Sequence, residues 1–297
     1  MTFRRVLATS IRGTWIHLPA SLRLSSPGQA YGRLLHALVR RYSKRKQAFT
    51  TYFLRNRAEL ELMRRLLDWN APGSIVDISV LGCSKGAEVY SILWTIRSAR
   101  PDLRLTTYAV DISQEILEIA KRGVYSRRSD VIWDDCRNQN ASIFERLTHD
   151  EMAAMCEVED DLAKVRQWLK EGIIWLCGDM GDPELIGALG YQDIVVANRF
   201  LFHMKPMAAE RCLRNIARLV KPGGYLFVSG VDLDVRTKVA RAMGWKPVTD
   251  LMREIHEGDP STTKWWPLGY HGLEPFRDNS PDWKIRYASV FQIGETP

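Results

Sequence analysis

Residues 75–91 read Ile-Val-Asp-Ile-Ser-Val-Leu-Gly-Cys-Ser-Lys-Gly-Ala-Glu-Val-Tyr-Ser, and residues 108–112 read Tyr-Ala-Val-Asp-Ile. An apolar, β-branched run stops at a turn of small residues, after which the spacing becomes helical, and a second apolar run then ends on an acid. That order requires a buried strand whose C-terminal turn lets a ligand approach the backbone, as a nucleoside-containing cofactor must. It narrows the possible folds more than any other stretch of the chain.

The same rhythm continues on both sides. β-rich apolar runs at Ser74 to Val80, Leu103 to Val110, Ile173 to Cys177, Asp193 to Ala197 and Tyr225 to Gly230 alternate with helical patterns. Those helices are expected over Glu88 to Arg97, Ser113 to Arg122, Met207 to Val220 and Val235 to Met243. Alternation of this kind implies an α/β fold, a Rossmann-like, doubly wound, mostly parallel sheet covered by helices. Lys221-Pro222-Gly223-Gly224 reads as a sharp turn before a late strand. Residues 126–172 break the rhythm with a polar stretch followed by a helix expected from Asp150 to Lys170, and the last strand is expected over Arg286 to Ile293.

The N-terminal part differs in charge. Residues 1–70 hold 14 Lys/Arg against 3 Asp/Glu, while the rest of the 297 residues hold 28 against 32. Residues 1–28, with Pro19, Ser25, Ser26, Pro27 and Gly28, are expected to form an irregular or partly ordered arm. From Tyr31 to Lys46, Leu34, Leu35, Leu38 and Tyr42 recur at helical spacing with Arg33, Arg40, Arg41, Lys44 and Arg45 elsewhere on the cylinder. A further helix over Glu59 to Trp69 is stopped by Ala71-Pro72-Gly73. The expected organisation is therefore a basic N-terminal helical segment, 1–72, and a Rossmann-like domain, 73–297, the first being an N-terminal helical extension of the second.

A basic patch attracts nucleic acid, an anionic membrane surface or an acidic protein by sign alone, and its alternative reading is a solvated helix face. Nucleic acid is disfavoured because no base-reading module accompanies the patch, and an acidic protein is a candidate partner beside the other readings. No apolar run approaches the ~18 residues that span a bilayer. Arg and His also interrupt Met1 to Leu24, so no transmembrane segment and a cytoplasmic location are expected. The five cysteines, Cys83, Cys136, Cys156, Cys177 and Cys212, are scattered with no Cys-x-x-Cys pair. They are expected to be reduced thiols, and no metal site is expected.

Gly82, Ser84 and Gly86 occupy the turn where a cofactor must pass close to the backbone. The turn lacks the Gly-x-Gly-x-x-Gly of dinucleotide enzymes and the chain lacks a Gly-Lys-Ser/Thr phosphate loop, which disfavours NAD and ATP. Asp111, 25 residues beyond Gly86, sits where a carboxylate accepts both hydroxyl hydrogens of a ribose, followed by Ile112. Its alternative role is a cap for the helix from Ser113 onward. Aromatics in the tail, Trp265-Trp266-Pro267, Tyr270-His271-Gly272 and Trp283, suggest a packed loop over the sheet edge or a pocket mouth.

Gly82 to Ser91 resembles the small-small-Ser-Thr-Gly-Glu-Glu-Pro-Tyr-Ser motif of the CheR-type chemotaxis receptor glutamate methyltransferases, which use S-adenosylmethionine. Thr51-Tyr52-Phe53-Leu54-Arg55 is similar to their Thr-x-Phe-Phe-Arg signature, and Gly123-Val124-Tyr125-Ser126 to their Gly-Ile-Tyr-Ser. The strand Asp193 to Ala197 and the following Asn198-Arg199 resemble the strand ending in their Arg-Asn pair, in reversed order. The resemblance spans Phe49 to Gly230. It implies that Thr51 and Arg55 hold the methionine carboxylate of the cofactor, for which the planar donors of Arg are suited. It further implies that Glu88 faces the positively charged methionyl end, that Asp111 holds the ribose, and that Asp179 and Met180 lie near the adenine.

The departures concern the acceptor. Phe49 stands where the family has a cofactor-binding Asn, Lys85 and Ala87 replace Thr and Glu, and His203 takes the place of a family Tyr near the transfer site. His203 is the candidate catalytic base for a hydroxyl or amine acceptor, its alternative reading being a hydrogen-bonded histidine in a strand-to-helix loop. The expected function is S-adenosylmethionine-dependent methyl transfer to a small-molecule or peptide acceptor. Protein-glutamate O-methylation of the chemotaxis type and a non-catalytic, cofactor-binding scaffold are the alternatives.

Overall fold

This computed structural model describes residues 13–127 and 142–294. Strands β1 (Ile75–Leu81), β2 (Arg104–Asp111), β6 (Ile173–Cys177), β7 (Gln192–Val196) and β8 (Val220–Phe227) pair in parallel, with β3 (Val124–Ser126), β4 (Cys156–Glu159) and β5 (Leu162–Val165) forming a separate antiparallel sheet. β9 (Lys246–Pro247) and β10 (Val290–Gln292) add an antiparallel edge, giving the order β6-β2-β1-β7-β8-β10-β9. The chain runs outward from β1 through β2 to β6, then returns to β1's other side as β7. A crevice therefore opens at the C-terminal ends of β1 and β7, where doubly wound sheets bind their ligands.

Two apolar layers sandwich the sheet. Val76, Ile78 and Val80 of β1 face Val89, Leu93 and Ile96 of the helix Ala87–Ala99, while Leu81 joins Leu213 and Ile216 of the helix Pro206–Ala217 on the opposite face. The helix Arg57–Leu66 contributes Leu60, Leu62 and Met63 to the first layer. Phe53 stacks on Phe144 at 5.1 Å and meets Tyr125 of β3 edge-on at 5.8 Å, which ties the small sheet to the segment before that helix.

Several sequence expectations change. The helix expected over Asp150 to Lys170 is instead a helix His149–Met155, the β4–β5 hairpin and a helical turn Gln167–Lys170. The hairpin wins because Ala163 and Val165 are buried with a period of two, and Asp160 takes the left-handed turn at φ 50°. The strand expected over Arg286 to Ile293 begins as a helix, Trp283–Tyr287, because Arg286 makes a two-bond fork with Glu274 (2.7 and 3.0 Å) and Tyr287 packs inward. The Lys221 to Gly224 turn lies within β8, as an irregularity in its register with β7.

The arm is helical rather than irregular over Ala20–Leu24 and from Ser26 onward, where Ser25 caps the helix Ser26–Tyr42 through its Oγ and Pro27 sits in the first turn. That helix buries Gly32, Leu35 and His36, while Leu34, Leu38 and Tyr42 face outward, contrary to the face expected. The rotation follows from specific contacts. Trp266 lies so close to Gly32 that a Cβ there would be 2.3 Å from its ring, and His36 Nδ1 bonds the Pro267 carbonyl at 3.2 Å. Cys136 and residues 1–12 lie outside the described residues.

Candidate functional site

The turn after β1 is built by backbone geometry. Gly82 (φ 66°) and Gly86 (φ 86°) adopt the left-handed region, and a Cβ on Gly82 would lie 2.7 Å from the Phe200 ring. Ser84 Oγ donates to the Phe49 carbonyl at 2.7 Å, which pins the turn to the segment before the helix Arg57–Leu66. At the end of β2, Asp111 accepts from the Ser84 N–H through Oδ2 (2.8 Å) and from the Ser113 N–H through Oδ1 (3.1 Å). The cap of the helix Gln114–Arg122 is Ser113, whose Oγ accepts from Ile116. Asp111 thus braces the turn rather than the helix, and burial raises its pKa against these backbone bonds.

These elements enclose a cavity of about 270 Å³, at the small end of the roughly 300–1,000 Å³ of ligand pockets. The structure brings together Thr51, Arg55, Gly82, Ser84, Glu88 and Asp111 on its lining. Ile112, Asp179, Met180, Asn198, Arg199 and His203 complete the set of sequence-derived candidates found there. Gly86 is the exception: it begins the helix Ala87–Ala99 and does not line the cavity. Phe49, at the position of the family's cofactor-binding Asn, also lines it, as do Phe200 and Met204, which had not been singled out as contacts.

At one end the walls are charged. Asn198 is 4% exposed; its Nδ2 donates to Glu88 Oε1 (2.8 Å) and to Glu59 Oε1 (2.6 Å), while its Oδ1 accepts from the Ser229 N–H (2.9 Å). Burial raises the pKa of both Glu88 and Glu59, the latter to about 8, with Glu88 adding like-charge repulsion to Glu59. Arg199 stands at φ 68°, pressed so close to Gly230 that a Cβ there would be 2.6 Å from its Cα. Asp259 gathers the cations, meeting Arg199 Nη1 at 3.1 Å, Arg146 Nη2 at 3.0 Å and Arg55 Nη1 at 4.0 Å. Glu59 is the residue that sequence reasoning missed. Its signal was an acid on the inner face of an apolar helix, beside Leu60 and Met63.

His203 lies on the wall, its Nδ1 hydrogen-bonded to Tyr270 Oη at 3.0 Å. Burial, then the nearby Arg199, His271 and Arg45, lower its pKa to about 4. The N-terminal segment closes over this side: Arg45 donates to the Phe202 and Met204 carbonyls (2.8 and 2.6 Å) and pairs with Asp232 at 2.9 Å, and Arg40 pairs with Asp234. Trp15 meets Trp266 edge-on at 5.3 Å, joining that segment to the aromatic tail. Among the described residues, no cluster of His, Cys, Asp and Glu is suited to hold a metal, and no helix is long and apolar enough to cross a membrane.

Residues 49–233 match the family described as CheR methyltransferase, SAM binding domain. The protein named chemotaxis protein methyltransferase 2 of Vibrio cholerae is 24% identical over 207 residues, covering 67% of this chain and 66% of that one. One named probable biofilm formation methyltransferase WspC, of Pseudomonas aeruginosa, is 25% identical over 212 residues, covering 70% of this chain. The chain spans 66% and 47% of the lengths of these two relatives. Among solved structures, magnesium protoporphyrin IX methyltransferase from Synechocystis with bound SAM is 14% identical, covers 64% of this chain and 71% of that chain, and gives a TM-score of 0.34.

Proposed function

The chain belongs to the CheR methyltransferase family, and from that premise we propose that it transfers the methyl group of S-adenosylmethionine to a small-molecule or peptide acceptor. The observation that carries this reading is the meeting of Arg55, Glu88 and Asn198 with Gly82, Asp111 and Asp179 on one cavity at the crevice of the sheet. The cofactor fits that set: Arg55 and Thr51 are suited to its carboxylate, Glu88 to its ammonium, Asp111 to its ribose, and exposed Asp179 with buried Met180 to its adenine edge and face. Ser84, Ile112 and Arg199 fill the wall between, and Gly86 acts indirectly by opening the helix.

S-adenosylmethionine supplies an electrophilic methyl group on a sulfonium. The protein's task is then to align the acceptor, exclude water and, for an amine or hydroxyl, hold a proton. A base with pKa about 4 holds a proton poorly at neutral pH, so His203 is better suited to fixing Tyr270 than to taking a proton. Basic side chains at Arg40 and Arg45 find acidic partners within the chain; an external acidic protein would have to read exposed Arg41 and Lys44.

The chemotaxis name of one relative motivates a second reading, O-methylation of protein glutamates. Calorimetry with S-adenosylhomocysteine, followed by transfer of radioactive methyl groups to amines, alcohols and glutamate peptides, separates the readings. Label released by mild base from a glutamate peptide favours the second. Tight cofactor binding with no product across the panel would favour a non-catalytic scaffold, and no cofactor binding would sink the proposal.

A further inference from the structure

The periodicity marks Leu34, Leu38 and Tyr42 as the apolar face of the helix Ser26–Tyr42, yet the fold turns that face outward. Leu34 is 61% exposed, Leu38 36% and Tyr42 67%, while the inward face is Gly32, Leu35 and His36, the last held by the Pro267 carbonyl. Ile16, and Leu22 and Leu24 around the preceding short helix, are also more than half exposed. Six of the sixteen large apolar side chains that stand exposed among the described residues therefore fall between positions 16 and 42. None of the six lines the cavity at the crevice of the sheet. Such a concentration marks a surface that meets something other than water.

The charge of the same stretch is one-sided. Residues 1–58 contain 12 Lys/Arg and no Asp or Glu, the first acid being Glu59. Arg40 and Arg45 are engaged by Asp232 and Asp234, whereas Arg41 and Lys44 are exposed and meet no carboxylate of the described residues. Arg41 follows Leu34 by seven positions, two helical turns, and so shares its face. Its guanidinium lies 5.8 Å from the centre of the Tyr42 ring. Cations are thus set within the outward apolar row and just past its end.

We infer that this face docks on a bilayer of anionic phospholipid, with the helix Ser26–Tyr42 lying in the plane of the headgroups. The position of Arg41 decides between a bilayer and an acidic protein. At the core of a protein interface it would have to be desolvated and paired, and charged residues are depleted there. At a bilayer its stem lies along the apolar boundary while its head reaches lipid phosphate. Leu34 and Leu38 enter the acyl boundary, and Tyr42 stands at headgroup level, where amphipathic rings collect. No acid of the segment faces the lipid charge. A second copy of the chain would set these cations against themselves, and nucleic acid would leave the leucines in water. The helix lies on the membrane and does not cross it, since no described helix is long and apolar enough to do so. The inference is independent of the methyl-transfer reading.

The test sediments the 297-residue chain with vesicles of phosphatidylcholine and phosphatidylserine, and with vesicles of phosphatidylcholine alone. Partition onto the anionic vesicles is expected to exceed that onto the neutral ones by about tenfold or more. It should fall between about 0.1 M and 1 M salt, as the screening length shrinks from about 10 to about 3 Å. Arg41→Gln and Lys44→Gln should each weaken it roughly fivefold, and Leu34→Ser and Leu38→Ser each roughly tenfold. All four positions are exposed and off the cavity, so the variants should melt close to the parent chain. On the unaltered chain, equal partition onto both vesicle types, or none onto either, overturns the inference. Unchanged partition in the leucine variants does so as well. A chain that binds polyglutamate and ignores the vesicles overturns it in favour of an acidic protein partner.

Discussion

Asp111 Oδ2 accepts the Ser84 N–H at 2.8 Å, joining the end of β2 to the turn that follows β1. One carboxylate therefore shapes the turn and lines the cavity at once. Asp111→Ala is expected to weaken S-adenosylhomocysteine binding by roughly 1–3 kcal/mol, the worth of hydrogen bonds to a charged group. Isothermal calorimetry measures it; unchanged affinity would remove Asp111 from the site.

Gly82→Ala combines a left-handed backbone with a 2.7 Å approach to Phe200. The backbone strain alone costs about 1–2 kcal/mol, and Phe200, itself part of the lining, must move. Both thermal stability and cofactor affinity should fall. A variant with lowered melting temperature and intact affinity would show that Phe200 can shift without disturbing the cavity.

Asp259 holds Arg55, Arg146 and Arg199 from the C-terminal side. Asp259→Ala leaves three largely buried guanidinium groups facing one another, and a loss on the order of 3 kcal/mol is expected in urea unfolding. A loss within the error of the measurement would mean that water replaces the carboxylate at no cost.

Glu59 ties stability to pH with a definite sign. Its folded pKa of about 8 lies above its ordinary 4.5, so the stability it lends is full below 4.5 and is lost as pH rises through about 8. Glu59→Gln should gain stability relative to the parent chain as pH rises from 4.5 to about 8, and keep that gain unchanged above it. Denaturant midpoints measured across the window from 4.5 to about 8 test it, and a pH-independent difference would place the Glu59 pKa near that of a solvated acid.

His36, His203, His256 and His271 act in the opposite direction, each held at about 4 against an ordinary 6.5. Between those values the unfolded chain binds more protons, so their contribution is full above 6.5 and lost as pH falls through about 4. The melting temperature should therefore drop across that window. Imidazole NMR signals from these four residues that titrate near 6.5 would contradict the burial that lowers them.

The sheet and its cofactor crevice were legible because strands and helices leave periodic apolar marks in the chain, and because Gly82 and Asp111 fall at places where few other residues serve. The β4–β5 hairpin was not, since Met152, Met155, Val158 and Leu169 also fit a helical count and only pairing with β3 decides between them. Glu59 escaped for a different reason. Its place beside Leu60 and Met63 marks an inward-facing acid, but no linear pattern shows that it meets Asn198, which is 139 positions away.

The wall formed by His36 and Pro267 also sets an order of events. These residues are 231 positions apart, and closing so long a loop is slow compared with the local strand and helix contacts of the sheet. During synthesis, β1, β2 and the Asp111–Ser84 bond have all left the ribosome well before the tail that meets Trp15 and His36. The crevice at the ends of β1 and β2 can therefore assemble early, and the wall that the tail adds arrives last.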